Sequence, residues 1–121
     1  MPRQARLDSP GTLHHMMVRG IEKRWIVDDE MDRRNFVRRL GALAEETRTP
    51  IYAWSLMSKP VHILLCSGAL ELAKFMRRLL TGYAVSYNLR HRRRGQVFQN
   101  RYKSIVCDGD SYFTQGRLPA V

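Results

Sequence analysis

One histidine sits where metal chemistry would require two. The segment Trp54-Ser55-Leu56-Met57-Ser58-Lys59-Pro60-Val61-His62-Ile63-Leu64-Leu65 is apolar enough to form a buried strand. Residues two apart on a strand share a face, so a His-x-His pair there would aim two imidazoles at one cation. His62 supplies one ring; Pro60, with no side-chain ligand and no backbone N–H, stands at the other position. A lone strand histidine more often packs or hydrogen-bonds than ligates. His15, in an earlier strand-like run, could supply the missing ring. Lys59 offers a fixed positive charge able to hold a phosphate without metal.

The second chemical signal is charge. The chain of 121 residues carries a net +10, spread unevenly. Residues 1–73 hold 11 Lys and Arg against 9 Asp and Glu, whereas residues 74–103 hold 9 cations and no acid. Those nine are Lys74, Arg77, Arg78, Arg90, Arg92, Arg93, Arg94, Arg101 and Lys103. A solvated helix face would normally intersperse acids. Cations gathered this way gain by releasing counterions from a polyanion, which points to nucleic acid. Arginines clamp phosphates bidentately, and the amides of Gln99 and Asn100 can read base edges. Tyr83, Tyr87 and Tyr102 could stack on unpaired bases, although the first two also continue an apolar stripe that suits a core.

The elements that must position these groups follow from periodicity. Residues 1–11 read as a basic arm carrying Arg3 and Arg6 and interrupted by Pro2, Pro10 and Gly11. Thr12 to Arg19 alternates as a first strand, with His15, Met17 and Arg19 on one side and His14, Met16 and Val18 on the other. Asp28 or Asp29 opens a helix whose Phe36, Val37, Leu40, Leu43 and Ala44 share a face. Ile51–Met57 and Val61–Cys66 read as two strands. From about Leu70 a second helix sets Leu72, Ala73, Met76, Leu79, Leu80, Tyr83, Ala84 and Tyr87 on one stripe. After the Arg92-Arg93-Arg94-Gly95 turn, Tyr102–Cys107 is a short last strand, and residues 114–121 form an atypical tail. The order β-α-β-β-α-β predicts a single α+β domain over 1–121. Its architecture would be ferredoxin-like: a four-stranded antiparallel sheet with two helices on one face. Cys66 and Cys107 suit free thiols in a reducing cytoplasm. No apolar run reaches the ~20 residues of a membrane span, and the first residues lack a secretory core.

Three groups of residues also resemble a known family. They are Pro10-Gly11 with Arg19-Gly20; Ala53-Trp54-Ser55-Leu56-Met57-Ser58 leading to His62; and Met76-Arg77-Arg78-Leu79-Leu80-Thr81-Gly82-Tyr83 with Tyr87-Asn88 and Gly95-Gln96-Val97-Phe98-Gln99-Asn100-Arg101-Tyr102-Lys103-Ser104. Together they resemble the single-tyrosine HUH transposases of insertion-sequence 200 type, especially the branch associated with repetitive extragenic palindromes. The likeness covers roughly residues 2 to 113. It implies an enzyme of DNA transposition and recombination that cuts single-stranded DNA beside a hairpin. In that chemistry Mg²⁺ or Mn²⁺ on two histidines polarises the scissile phosphate, and a tyrosine attacks to leave a 5′-phosphotyrosine.

The match is incomplete at the chemistry. Pro60 occupies the place of the first family histidine and Lys59 that of an Asn. The family nucleophile lies in a last helix beginning near Asp110; Pro119 falls about where it would be, so that helix reads as missing or altered. Tyr112 is the nearest tyrosine. The resemblance places His62 as a metal ligand, His15 as a substitute or DNA-facing group, and Arg19 with the basic block against the hairpin. It leaves monomer or homodimer open. The expected function is single-stranded or hairpin DNA binding with strand cleavage impaired. The alternatives are a working metal enzyme that uses His15 and His62, and a non-catalytic DNA- or RNA-binding regulator of the same fold.

Overall fold

Asp29 decides where the first helix begins. Its carboxylate accepts the Asp32 N–H at 3.0 Å, which satisfies one of the orphan donors that open a helix. In the computed structural model, which describes residues 11–56, 59–99 and 101–107, this helix α1 runs Glu30–Thr47. The second helix, α2, runs Leu72–His91. Both end on a left-handed arginine, Arg48 at φ 54° and Arg92 at φ 54°, which turns the chain out of the helix.

The strands are β1 (Leu13–Val18), β2 (Ile51–Ser55), β3 (Val61–Cys66) and β4 (Lys103–Val106). They form one antiparallel sheet in the order β2-β3-β1-β4. The α+β architecture expected from periodicity is therefore present, with shorter ends. β1 stops before Arg19, where the chain goes on to pair with the 97–99 segment instead of β4, and β4 begins after Tyr102. Met57, residues 1–10 of the arm and the tail 114–121 lie outside the described residues.

One face of the sheet carries Met16, Val18, Val61, Ile63 and Leu65, which join Phe36 and Leu40 of α1 and Phe75, Met76, Leu79, Tyr83 and Tyr87 of α2 in a single core. Both helices thus cover the same face. The α2 stripe is rotated from the expected one: Phe75 is buried and Ala73 exposed, because Leu72, Phe75, Met76 and Leu79 follow the i, i+3, i+4, i+7 spacing. The Tyr83 hydroxyl donates to the Ile26 carbonyl, so this ring is committed to the core. Among the described residues no helix is long and apolar enough to cross a membrane.

Gly20 ends β1 for a steric reason. A Cβ there would stand 2.2 Å from the Arg24 carbonyl oxygen. The bare backbone lets the Arg24–Ile26 loop fold against the strand end, beside which the 97–99 segment pairs: Ile21 N–H donates to Val97 O at 2.8 Å and Gln99 N–H to Arg19 O at 3.0 Å.

Candidate nucleic-acid interface

The face of the sheet away from the helices is organised by register. Ser55 pairs with His62, His62 with Met17, and Met17 with Lys103, so these four residues form one row across all four strands. The next row is Ala53, Leu64, His15 and Ile105. Side chains in such rows project to the same side.

His15 and His62 are diagonal neighbours in these rows and touch. His15 Nε2 lies 2.8 Å from His62 Nδ1, with ring centroids 5.0 Å apart. Burial and then the neighbouring His62 hold the pKa of His15 below its usual value; burial and then the charge of Arg19 do the same for His62. Both shifts favour the neutral imidazole, the form in which one ring can donate to the other.

Cations border this pair. Arg19 is exposed immediately beyond β1 and acts electrostatically on His62. Lys103 is exposed on β4, two strand spacings, roughly 10 Å, from His62. Gln99 and Arg101 are exposed on the segment tied to the end of β1. Tyr102 packs against the core rather than standing free. Arg92 and Arg94 are exposed on the turn after α2, whereas Arg93 is partly buried, with its guanidinium 5.6 Å from the Tyr87 ring centroid. Asn100 and Tyr112 lie outside the described residues.

The helical cations differ. Arg78 reaches Glu46 of α1 at 2.8 Å, and Lys74 lies 3.7 Å from Glu71. Arg77 is exposed and has no ion pair among the described residues. Arg90 bonds Asp29 and Asp32, each at 2.8 Å. A block free of acids in sequence is thus partly neutralised by acids from α1 and its approach. Lys59 places its ammonium 5.0 Å from the Trp25 ring centroid.

Sequence reasoning missed a polar network between the start of α1 and the end of α2. Buried Asp32 accepts from Arg90 Nη1 on one oxygen, and its other oxygen lies 2.8 Å from His91 Nε2 and accepts the Asp28 N–H at 3.0 Å. The Tyr87 hydroxyl donates to Asp28 at 2.8 Å. Hydrogen bonds from Arg90 and from the Asp32 N–H pull the Asp29 carboxyl down to about 2. Asp28, Asp32 and His91 have ligand atoms within 4.8 Å of one another, but the Asp32 oxygens already carry these bonds, so the group reads as a structural clamp. Its members are some sixty positions apart (Asp32 and Arg90 by 58), and no local signal announces the contact.

The sheet pair is the better match to the expected ion. Two neutral imidazole nitrogens converge, and no carboxylate joins them among the described metal-capable groups. That donor set suits Mn²⁺ better than Mg²⁺, which prefers an all-oxygen octahedron. An ion held by His15 and His62 would displace the proton that the rings share, and would supply Lewis acidity toward a phosphate oxygen.

No family model matches the chain, and no curated protein does. Solved structures do. A protein described as a REP-associated tyrosine transposase bound to a REP hairpin superimposes with a TM-score of 0.71 at 10% identity, over 89% of this chain. The chain spans 63% of the length of that protein. A candidate transposase from Deinococcus radiodurans R1 superimposes with a TM-score of 0.63 at 14% identity, over 93% of this chain and 94% of its own. The chain shares the fold of these two proteins. Within this fold, the His15–His62 pair and the cations around it lie at one end of the sheet face opposite the helices.

Proposed function

We propose that the chain is a transposase-type protein that grips single-stranded or hairpin DNA and is impaired in cutting it. The observation that carries this reading is the set Arg19, Lys103, Arg101 and Gln99, all exposed around His62 at one end of the sheet. Charged side chains on adjoining strands can follow a phosphate backbone, and the amide supplies a base-edge contact. The turn Arg92–Arg94 extends that surface at the end of α2. Likeness to a transposase that was solved on a DNA hairpin supports the same partner.

Impairment follows from Pro60. The resembled reaction forms a bond from a tyrosine oxygen to phosphorus as the bond to the 3′-oxygen breaks, with charge building on the phosphate oxygens. A proline in place of the first histidine takes one ligand away from the charge stabilisation that step needs. Arg19 and Lys103 can neutralise the bound phosphate in the ground state, and neutral His62 can donate one N–H to it. Incubating the protein with a labelled hairpin oligonucleotide and Mn²⁺ tests this directly. Saturable binding without a covalent product is expected. An adduct that survives denaturation and disappears in Tyr112→Phe would overturn the impairment.

The His15–His62 contact favours a second reading, in which the cross-strand pair replaces the missing motif and cleavage persists. The same assay decides, because this reading requires the adduct to vanish in His15→Ala. An RNA hairpin of matching sequence is the remaining competitor; preference for it would assign contacts to the 2′-hydroxyl and favour a regulator.

A further inference from the structure

A second group of cations, outside the block 74–103, stands on α1. Arg33, Arg34 and Arg38 stand around Trp54 in an open groove of about 380 Å³. Arg33 also lines a second hollow of about 250 Å³ with Trp25, so the two hollows are neighbours that share this residue. Lys59 caps the far end over the Trp25 ring. These are the only two tryptophans of the chain, and both lie on this stripe. Trp25 is 46% exposed, and Trp54 is partly buried with its base on the core.

Charge along the stripe is not balanced. Arg33 and Arg34 share a single carboxylate oxygen of Glu30, at 3.5 and 3.3 Å. Arg38 and Lys59 have no ion pair among the described residues. Asp28 and Asp29 also line the Trp25 hollow, where Arg90 pairs with Asp29 and Asp28 accepts from the Tyr87 hydroxyl; the Trp54 groove has no acid in its lining, so the cationic excess is greatest there. A face that merely kept the protein soluble would not need indole surfaces set between guanidiniums. Alternating cations and aromatic planes are the arrangement that holds unpaired nucleotides, with phosphates on the cations and bases on the rings.

We infer that the α1–β2 edge is a second DNA site, a track for an unpaired strand built from Trp25, Arg33, Arg34, Arg38, Trp54 and Lys59. β2 is an edge of the sheet, and β4, which carries Lys103, is the other. The track therefore lies across the molecule from the β4 cations assigned to the hairpin. It leads toward His62, because Lys59 precedes that residue by three positions and Ser55, next to Trp54, pairs with it. This inference rests on the DNA-binding reading above and adds to it where a single-stranded flank runs.

The test compares a bare hairpin with the same hairpin carrying an unpaired thymidine flank, by anisotropy of a label on the loop and by tryptophan fluorescence. The flank is expected to tighten binding by about tenfold, the scale of stacking one base on an aromatic ring, and to quench the fluorescence. The Arg34→Glu/Arg38→Glu variant should lose that gain while binding the bare hairpin as the parent does. Its salt slope on the flanked hairpin should fall by roughly 0.7 for each phosphate no longer neutralised. Trp25→Phe, which keeps the fold's surface largely apolar, should lower the quenching without altering bare-hairpin affinity. Equal affinity for bare and flanked hairpins, with no quenching, would overturn the track and leave the hairpin reading standing. Equal quenching by a polyglutamate peptide would overturn it as well, since charge alone would then suffice. Failure to bind either oligonucleotide would remove both readings.

Discussion

His15 Nε2 lies 2.8 Å from His62 Nδ1, although 47 residues separate the two in sequence. β1 and β3 pair antiparallel with Met17 opposite His62 and His15 opposite Leu64, so the rings meet on the diagonal between two rows. The contact brings two imidazoles together across two strands, whereas Pro60 leaves His62 the only histidine of its own segment.

Acid should loosen this contact. Burial lowers both histidine pKa values from 6.5, so the unfolded chain binds protons that the folded one resists. Stability is then complete at pH above 6.5 and is lost as pH falls below it. The thermal midpoint, followed by circular dichroism, is expected to decline on going from about pH 7 to about pH 5, with a flatter profile in His15→Gln/His62→Gln.

The same pair should discriminate between ions. Imidazole nitrogen is a better ligand for Mn²⁺ than for Mg²⁺. Electron paramagnetic resonance is expected to show Mn²⁺ bound by the parent and not by His15→Ala, with excess Mg²⁺ failing to displace it. Full displacement by Mg²⁺ would place the ion on oxygen ligands instead.

Asp32 is the buried centre of the clamp between the helices, 1% exposed and bonded to Arg90 and His91. Asp32→Ala leaves Arg90 with Asp29 alone and removes the 2.8 Å partner of His91. The cost should be about 2–3 kcal/mol in urea unfolding, below that of a fully buried pair because Arg90 keeps contact with water. Asp32→Asn should cost less, since it preserves the shape and one acceptor oxygen.

Not every arginine of the basic block should matter for DNA. Replacing Arg92, Arg93 and Arg94 with Ala is expected to weaken hairpin binding and to reduce its salt slope by roughly 0.7 for each phosphate those side chains neutralise. Arg78→Ala should leave both nearly unchanged, because Glu46 already answers that charge at 2.8 Å. Titrations across a range of salt concentrations would show the difference. Equal effects of the two variants would mean that Arg78 leaves Glu46 when DNA binds.

The succession of elements was legible in the chain because each rests on local periodicity. Alternation across Leu13–Val18, the Asp29 cap and the apolar faces of α1 and α2 are all set by neighbours within a few positions. Rotation of the α2 stripe toward Phe75 was not, since Ala73 and Phe75 are both tolerable on a helix face and only the opposing sheet selects between them. His62 with Pro60 before it, and the cations of residues 74–103, could likewise be read directly. Which of those cations remain available was settled by partners from elsewhere: Glu46 on Arg78, Asp29 and Asp32 on Arg90. The His15–His62 pair and the Arg38–Trp54 groove belong to the same class. Register and packing bring such partners together over long sequence separations; alternation tells which face a strand residue takes, but not which residue of another element stands beside it.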